Sequence, residues 1–484
     1  MSLNSFHFVA FFLVVYIVNS LYGYITKGKP KSYSIYKLLI LLESYAFIII
    51  SDIKTSLSLL ALTIVSYLVV LMIKRNHNSI KIAKTALIIG IVIAVGQLCW
   101  FKYYDFLCGS IYSIFGLKYV AKTSFIHLGI SFFTFSAISY MVDSYRDKCE
   151  NYTNIFDTAV YLSFFPKFLS GPIVKPDKFM TEMKQSATRI NLVNLQSGIQ
   201  MVAVGFFKKM VVADHLAIFV DDVFLTPSCF SSATCFWAII SYSLQIYFDF
   251  SGYSDIAIGI AKMLGFDFDL NFNLPYIAKN VTEFWKRWHI SLSTWLMEYV
   301  YFTLGGNRKG KIRSYINLLL TMLIGGLWHG AAWTFIIWGG IHGIALVIHK
   351  KYMQIRKTKG NYPGGFAWSN FISPLLTFVF VSIAWVFFRA SSTSNALTIL
   401  KRAVIFDSGV SQIFTWTWLA IFVVAIEVAV ATIKKRKCGE NALTIVYPKL
   451  NLSKVAGLIV FFTFIGLIIV LAYVGDTAFI YGKF

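Results

Sequence analysis

A repeated series of long apolar runs constrains this chain more than any other feature of its sequence. The runs are continuous and roughly 17–23 residues long, and a helix needs about 20 such residues to cross a hydrocarbon core of about 30 Å. With 57% hydrophobic and only 14% charged residues, the chain is excluded from the soluble globular class. A transmembrane β-barrel is excluded as well, because its strands alternate polar and apolar residues over about ten positions. We therefore predict an all-α polytopic protein of the lipid bilayer, with about eleven transmembrane helices plus re-entrant and interfacial segments.

The positive charge of the chain predicts its orientation in the membrane. The net charge of +22 is spread over short clusters between the apolar runs, which is the pattern of the positive-inside rule and not of a nucleic-acid-binding surface. Lys27, Lys29 and Lys31 follow the first run, and four basic residues at 434–437 follow the run near 413–433. We therefore expect a multi-pass membrane protein with both its N-terminus and its C-terminus outside.

The order of the runs predicts a single integral-membrane domain over residues 1–484. It divides into N-terminal helices at 1–120, a core at 121–390, C-terminal helices at 391–473 and an extracytoplasmic tail at 474–484. Within the core, residues 156–172 contain Pro166, Gly171 and Pro172, which interrupt a helix and favour a re-entrant segment. The six cysteines form no C-x-x-C pair and no metal-ligand cluster is visible, so no metal is predicted.

His329 is the first candidate for a catalytic residue. It lies at the turn between apolar segments 314–328 and 331–349, and basic residues flank the outer end of each segment, so both ends are expected in the cytoplasm. An arm of about 15 residues is roughly 22 Å long, which places His329 inside the membrane region. Burial keeps a histidine neutral, the state that a general base requires. The alternative interpretation is a core histidine bonded to a backbone carbonyl.

A second histidine lies in a cationic and aromatic sequence. Residues 281–300 predict an amphipathic helix at the cytoplasmic interface, and it carries His289 directly after Lys286, Arg287 and Trp288. His289 is interpreted either as a helix cap or as a catalytic group. Lys286 and Arg287 are predicted to hold the phosphates of a soluble donor, and Trp288 is included among the residues that bind this donor. His342 is interpreted as structural.

Several motifs carry a resemblance to a known family. They are Ser-Gly-Pro-Ile-Val at 170–174, Tyr-Phe-Asp-Phe-Ser-Gly-Tyr-Ser-Asp at 247–255, Asn-Phe-Asn-Leu-Pro-Tyr at 271–276, Glu-Phe-Trp-Lys-Arg-Trp-His-Ile-Ser-Leu-Ser-Thr-Trp-Leu at 283–296, Gly-Gly-Asn-Arg-Lys-Gly at 305–310, Gly-Leu-Trp-His-Gly-Ala-Ala-Trp at 326–333 and Trp-Val-Phe-Phe-Arg-Ala at 385–390. Together they resemble the membrane-bound O-acyltransferase family, and within it the bacterial polysaccharide O-acetyltransferases that act on alginate or peptidoglycan. Met297-Glu298 departs from the Arg-Asp expected in the alginate branch, so the polymer stays open.

The resemblance implies a fold and a mechanism. The fold would be a helical funnel around a buried histidine, with His329 catalytic and His289 as the second implicated histidine. The donor would be cytoplasmic acetyl-CoA. A separate extracytoplasmic partner of the SGNH hydrolase type would place the acetyl group on a cell-wall or exported polysaccharide. Two alternatives remain: D-alanyl transfer to teichoic acid, and a secondary transporter, which would show paired helix interruptions in two halves.

The last six residues, Phe-Ile-Tyr-Gly-Lys-Phe, suggest an acyl carrier. They are similar to the terminal Phe-x-Tyr-x-x-Phe motif of the small companion protein in the D-alanylation system. The resemblance implies that Tyr481 holds the acetyl group transiently. The alternative is that this tail is an aromatic anchor at the membrane interface.

Overall fold

The structure is helical throughout the part of the chain that it describes. The computed structural model describes residues 6–26, 33–121, 127–148, 154–186, 189–358, 369–412, 415–439, 443–473 and 475. Its α-helices in chain order are α1 Phe6–Thr26, α2 Tyr33–Ser51, α3 Ile53–Arg75, α4 Ile80–Leu98, α5 Tyr104–Ile114, α6 Ile130–Tyr145, α7 Ile155–Ser163, α8 Phe165–Phe168, α9 Pro176–Ser186, α10 Leu192–Phe206, α11 Asp214–Leu225, α12 Ser232–Met263, α13 Val281–Trp285, α14 Ile290–Trp295, α15 Lys311–His329, α16 Trp333–Thr358, α17 Ser369–Arg389, α18 Thr393–Val404, α19 Thr415–Cys438 and α20 Val455–Leu471. These ranges contain no β-strand, and one isolated bridge pairs Phe230 with Val410.

Within the described ranges, six apolar helical segments are long enough to cross a membrane. They are His7–Thr26, Tyr33–Ser51, Ile53–Arg75, Ile80–Ile114, Phe371–Arg389 and Thr415–Cys438. They confirm the prediction of an all-α polytopic membrane protein, whereas the number eleven stays a prediction. The segment after α4 is also helical: a π-helical turn at Cys99–Tyr103 joins α4 to α5.

The first of two compact units comprises residues 1–203, 253–269 and 449–459. Helices α2, α3, α6 and α7 pack together in it, and Lys37 of α2 forms a buried ion pair with Asp157 of α7 at 2.6 Å. The interruption predicted from Pro166 and Gly171 is present, since α7 ends at Ser163 and α8 covers only four residues. A Cβ atom on Gly171 would lie 2.5 Å from Cα of Lys167, so only glycine allows this tight path.

The second unit comprises residues 204–252, 270–448 and 460–484. Its core is aromatic: Trp288, Trp338 and Trp385 are among its fully buried side chains. The ring of Trp385 lies 4.9 Å from that of Trp288 and 5.5 Å from that of Trp338, measured between ring centroids. Aromatic pairs at such distances add about 0.5–1.5 kcal/mol each beyond the area they bury, so this cluster fixes the segment around residue 288 against α16 and α17.

The hairpin formed by α15 and α16 is held by glycine at its crossing point. A Cβ atom on Gly326 would lie 2.3 Å from the carbonyl oxygen of Phe335, and one on Gly339 would lie 2.4 Å from that of Met322. The two backbones therefore touch directly. At 19 residues, α15 is longer than the arm of about 15 residues expected from the sequence, because Lys311–Arg313 and His329 are also helical. Because α15 is about 28 Å long and nearly matches the hydrocarbon core, its length does not by itself place His329 at membrane depth. The observation that locates His329 in the protein interior is its burial.

Candidate active site

His329 is the last residue of α15 and is enclosed by aromatic rings. It is 3% exposed. The centroid of its ring lies 4.9 Å from that of Trp328, 5.0 Å from Trp338 and 5.0 Å from Phe388, in edge-on arrangements. The next residue, Gly330, is extended and ends the helix, and a Cβ atom there would overlap the Phe335 ring at 2.1 Å. The end of the helix thus holds an imidazole in an apolar enclosure.

His289 lies at a break that the sequence did not predict. The single helix expected over 281–300 is interrupted between Trp285 and Ile290, and His289 has a left-handed backbone with φ of 41°. The reason is Asn271, whose backbone oxygen accepts from the N–H of Ile290 at 2.9 Å. Its side-chain Oδ1 accepts from the N–H of Ser291 at 3.1 Å. These bonds satisfy the first donors of α14 and allow the helix to begin anew.

The same asparagine selects the tautomer of His289. Asn271 Oδ1 lies 3.2 Å from His289 Nδ1, and because it accepts from the backbone N–H of Ser291 it must be the oxygen of the amide. Nδ1 therefore carries the proton and Nε2 carries the lone pair. Full burial lowers the pKa of His289, which lies outside the six apolar helices, to about 3. The ring is consequently neutral at pH 7, with its basic nitrogen defined.

The two candidate histidines contact the same indole. The ring of Trp328 lies 6.0 Å from His289 and 4.9 Å from His329 between centroids. Although 40 positions apart in sequence, they therefore belong to one site, which the motifs at 283–296 and 326–333 assemble together. Trp338 extends this site to His342, whose ring lies 5.0 Å from the indole on the next turn of α16.

A large cavity opens beside this site. Its volume is about 1220 Å³, and its lining comes from residues 280–301, from Asn307, from α15 and from α16. Four charged side chains line it: Glu283, Lys286, Lys350 and Arg356. Since Glu283 is paired with Arg287 at 2.9 Å, the remaining charge of the lining is positive. Such a cavity favours an anionic ligand.

The predicted donor-binding residues have different positions around this cavity. Lys286 lines it and is exposed. Arg287 bonds instead to Glu283 and donates to the carbonyl oxygens of Asn273 at 3.1 Å and Leu443 at 3.3 Å. Trp288 is 1% exposed and belongs to the aromatic core. That Arg287 and Trp288 take part in donor binding stays a prediction.

Lys350 is a component of the cavity that the sequence analysis missed. Its Nζ donates to Tyr301 Oη at 3.0 Å and to Asn307 Oδ1 at 2.6 Å, and Tyr301 also donates to Asn307 at 2.7 Å. The signal available was the spacing of His342, Leu346 and Lys350, which repeats every four residues along α16. In the sequence, Lys350 stands out only as one of the basic residues that orient the hairpin.

Tyr481 lies outside the described residues. The chain before it is anchored in the second unit, where the N–H of Tyr473 donates to the carbonyl oxygen of Met210 at 3.0 Å. The Tyr473 ring also lies 5.5 Å from His215 between centroids, and His215 stacks on Trp416 at 3.7 Å. Among the described residues, no group of three or more His, Cys, Asp or Glu side chains is arranged to hold a metal ion.

The comparison with protein families agrees with this arrangement. The model of the MBOAT, or membrane-bound O-acyltransferase, family matches residues 69–393, a range that contains both histidines and the cavity. The chain belongs to this family. It is therefore a membrane-bound acyltransferase, and the family predicted from the motifs is confirmed.

Individual relatives indicate a branch of the family. The chain is 38% identical over 395 residues to a peptidoglycan O-acetyltransferase of Helicobacter pylori, covering 76% of this chain and 73% of that protein. It is 38% identical over 366 residues to a probable alginate O-acetylase AlgI of Pseudomonas aeruginosa, covering 74% and 68%. A teichoic acid D-alanyltransferase of Streptococcus thermophilus is 29% identical over 300 residues, covering 57% and 70%.

Proposed function

We propose that this acyltransferase takes acetyl groups from cytoplasmic acetyl-CoA and passes them through the membrane for O-acetylation of a cell-wall or exported polysaccharide. One observation carries the proposal: His289 and His329 flank a single buried indole beside a positively charged cavity. The two relatives at 38% identity, with peptidoglycan and alginate in their names, support acetyl as the group and a polysaccharide as the final acceptor. The enzyme is placed in the bacterial cytoplasmic membrane with both termini outside.

The cavity is the entrance for the donor in this proposal. Lys286, Lys350 and Arg356 provide positive charge for the phosphates of CoA, and they lie on segments whose basic residues predict the cytoplasmic side. Charge-assisted bonds to phosphate are roughly twice as strong as neutral hydrogen bonds. The nucleotide would stay at this charged end, and the flexible arm with its thioester would extend toward His329.

His329 acts as the general base. It accepts the proton of an attacking hydroxyl while the hydroxyl oxygen bonds to the thioester carbonyl carbon. The C–S bond then breaks, the thiolate of CoA leaves, and it receives the proton from His329, so the reaction consumes and releases no net proton. A phenol with a pKa near 10 cannot transfer its proton to a histidine near 6.5 in advance, since this costs about 5 kcal/mol. Proton removal therefore accompanies the attack.

The first acceptor in this scheme is the hydroxyl of Tyr481. The eight residues from Tyr473, the anchored position, to Tyr481 reach up to about 26 Å when extended, whereas half the hydrocarbon core is about 15 Å. The tail is thus long enough to bring the phenol to His329 from outside. The acetyl group would then pass to a separate extracytoplasmic partner of the SGNH hydrolase type, which acetylates the polymer.

Purified protein in sealed vesicles tests the proposal. With acetyl-CoA outside and the cytoplasmic face exposed, we expect CoA release and an acetyl ester on the peptide that contains Tyr481, detected by intact mass and peptide mapping. The Tyr481→Phe variant, which has no nucleophile at this position, should show neither. Full activity of Tyr481→Phe contradicts the carrier role. Transfer from a D-alanyl carrier protein but not from acetyl-CoA would assign the enzyme to teichoic acid D-alanylation, and solute uptake without CoA release would indicate a transporter.

A further inference from the structure

His342 is a buried polar residue that the proposed mechanism does not use. It is completely buried on α16 and surrounded by rings: Trp285 at 5.2 Å, Trp338 at 5.0 Å and Phe380 at 5.5 Å between centroids. Neither Nδ1 nor Nε2 has a hydrogen-bond partner in the part of the chain that the structure describes. A buried polar group without a partner costs about 1–3 kcal/mol, so apolar packing alone does not account for a histidine here.

The indole N–H groups of two neighbouring tryptophans are in the same situation as the nitrogens of His342. Nε1 of Trp285 and Nε1 of Trp338 are also buried without a hydrogen-bond partner among the described residues. Two indole N–H groups and a neutral imidazole together offer three donors and one acceptor. A ligand that satisfies these three donors and this acceptor must carry several carbonyl oxygens and at least one N–H. Amide groups meet this requirement.

These groups lie between the cavity and His329. Trp285 lines the cavity and contacts His342, while Trp338 contacts both His342 and His329 at 5.0 Å. Moving inward, the order is therefore positive charges, then unpaired polar groups, then the catalytic histidine. The order of groups along an acyl-CoA molecule is the same: phosphates, then the two amides of the pantetheine arm, then the thioester.

We infer that His342, with Trp285 and Trp338, forms a binding site for the amide groups of the donor's pantetheine arm and thereby positions the thioester at His329. The inference rests on the proposed function, because it takes the donor to be an acyl-pantetheine thioester. His342 is a specificity-determining residue in this account and does not exchange a proton with the reacting atoms. It selects donors by their amides, independently of the acyl group.

The test measures the KM of three donors with purified wild-type enzyme and the His342→Phe variant. The donors are acetyl-CoA, S-acetylpantetheine, which keeps both amides without the nucleotide, and the acetyl thioester of 2-mercaptoethanol, which has no amide. His342→Phe should raise the KM of the first two about tenfold and leave the third unchanged. Trp285→Phe, which keeps an aromatic ring but loses the indole N–H together with part of the ring system, should act in the same direction to a smaller extent, and it serves where His342→Phe does not fold.

Phe380→Leu is the matched control, because it perturbs packing against His342 without removing a polar atom. It should leave the ratios among the three KM values at their wild-type level. Equal effects of His342→Phe on all three donors, or no effect on any, would overturn the inference even with an active wild-type enzyme. A wild-type enzyme that accepts none of the three thioesters would instead refute the proposed function, and the inference with it.

Discussion

At the scale of single residues, the proposed chemistry depends on where two imidazoles are held. Asn271 fixes the proton of His289 on Nδ1, and aromatic edges surround His329 on three sides. A polar contact to Asn271 orients the first ring, and aromatic rings enclose the second. Substitutions at the two positions therefore act for different physical reasons.

We predict that His329→Ala lowers kcat about 100-fold to 10,000-fold, the contribution typical of a general base. The variant should still fold and insert, because the neighbours that lose contact are the aromatic rings of Trp328, Trp338 and Phe388, and alanine introduces no polar or charged group. Acetyl transfer by purified protein measures kcat, and elution as a single species in size-exclusion chromatography checks folding. His77→Ala, at an exposed histidine, is the control. More than a tenth of wild-type turnover in His329→Ala would exclude its role as base.

The donor's phosphates provide a second prediction at this scale. Lys286→Ala combined with Lys350→Ala should raise the KM of acetyl-CoA about tenfold and change kcat less, as loss of uniform binding does. The control is Lys351→Ala, which removes the neighbouring exposed charge outside the cavity lining. Arg287 is a poorer choice for this test, because its bonds to Glu283, Asn273 and Leu443 support the fold. An unchanged KM would show that the phosphates of the donor bind somewhere other than in this cavity.

At the scale of elements, the α15–α16 hairpin determines the position of His329 relative to Trp338. Side chains are absent at the crossing of Gly326 and Gly339, so the helices meet backbone to backbone. A displacement of either helix would move the imidazole away from the indole. The hairpin is therefore a rigid support, and its glycines are as necessary to the site as the rings.

We predict that Gly339→Ala destabilises the protein by about 1–3 kcal/mol through overpacking against the carbonyl of Met322. Gly340→Ala is the matched control on the same helix, because its Cβ atom would lie 3.7 Å from the nearest atom, a side-chain methyl of Leu323. This control should be neutral or slightly stabilising, since alanine favours a helix over glycine by about 1 kcal/mol. Thermal unfolding in detergent measures both variants. Equal midpoints for the two would show that the crossing tolerates a side chain.

The sequence predicted this hairpin but not the break at His289. Apolar runs with basic ends were sufficient to place α15 and α16, because both depend on residues close together in the chain. The interruption between α13 and α14 depends on Asn271, eighteen positions before His289, and on its two hydrogen bonds to the start of α14. No local pattern reports such a contact. The same holds for the cavity, which forms only when residues 280–301 meet α15 and α16.

At the scale of the whole molecule, the charge pattern predicts which end of each helix faces the cytoplasm. Four basic residues at the end of α19 predict that Cys438 is inside, so we expect the start of this helix, at Thr415, to be outside. Because Phe230 pairs with Val410, close to Thr415 in the chain, we expect Cys229 on the outer side as well. Both cysteines are exposed, which makes them suitable reporters.

We predict that a membrane-impermeant maleimide labels a variant with Cys229 as its single cysteine in intact cells. The matching variant that retains only Cys438 should be labelled only after the membrane is permeabilised. Gel shift or mass spectrometry of the purified protein reads out the modification, and a cysteine-free variant gives the background. Labelling in the reverse pattern would show that the topology is the opposite of the predicted one and that the cavity faces the outer side.

The left-handed backbone at His289 has a consequence for the stability of the enzyme. For a residue other than glycine or asparagine this conformation costs about 1–2 kcal/mol, and here it is imposed on the residue whose ring Asn271 orients. Glycine or asparagine at 289 would relieve that strain while removing the imidazole. The same substitution would empty a fully buried site among aromatic rings, and such cavities cost about 2–5 kcal/mol, which exceeds the strain that is relieved. Engineering of a more heat-resistant enzyme therefore has to keep position 289 fixed, strain included, and seek its gains elsewhere.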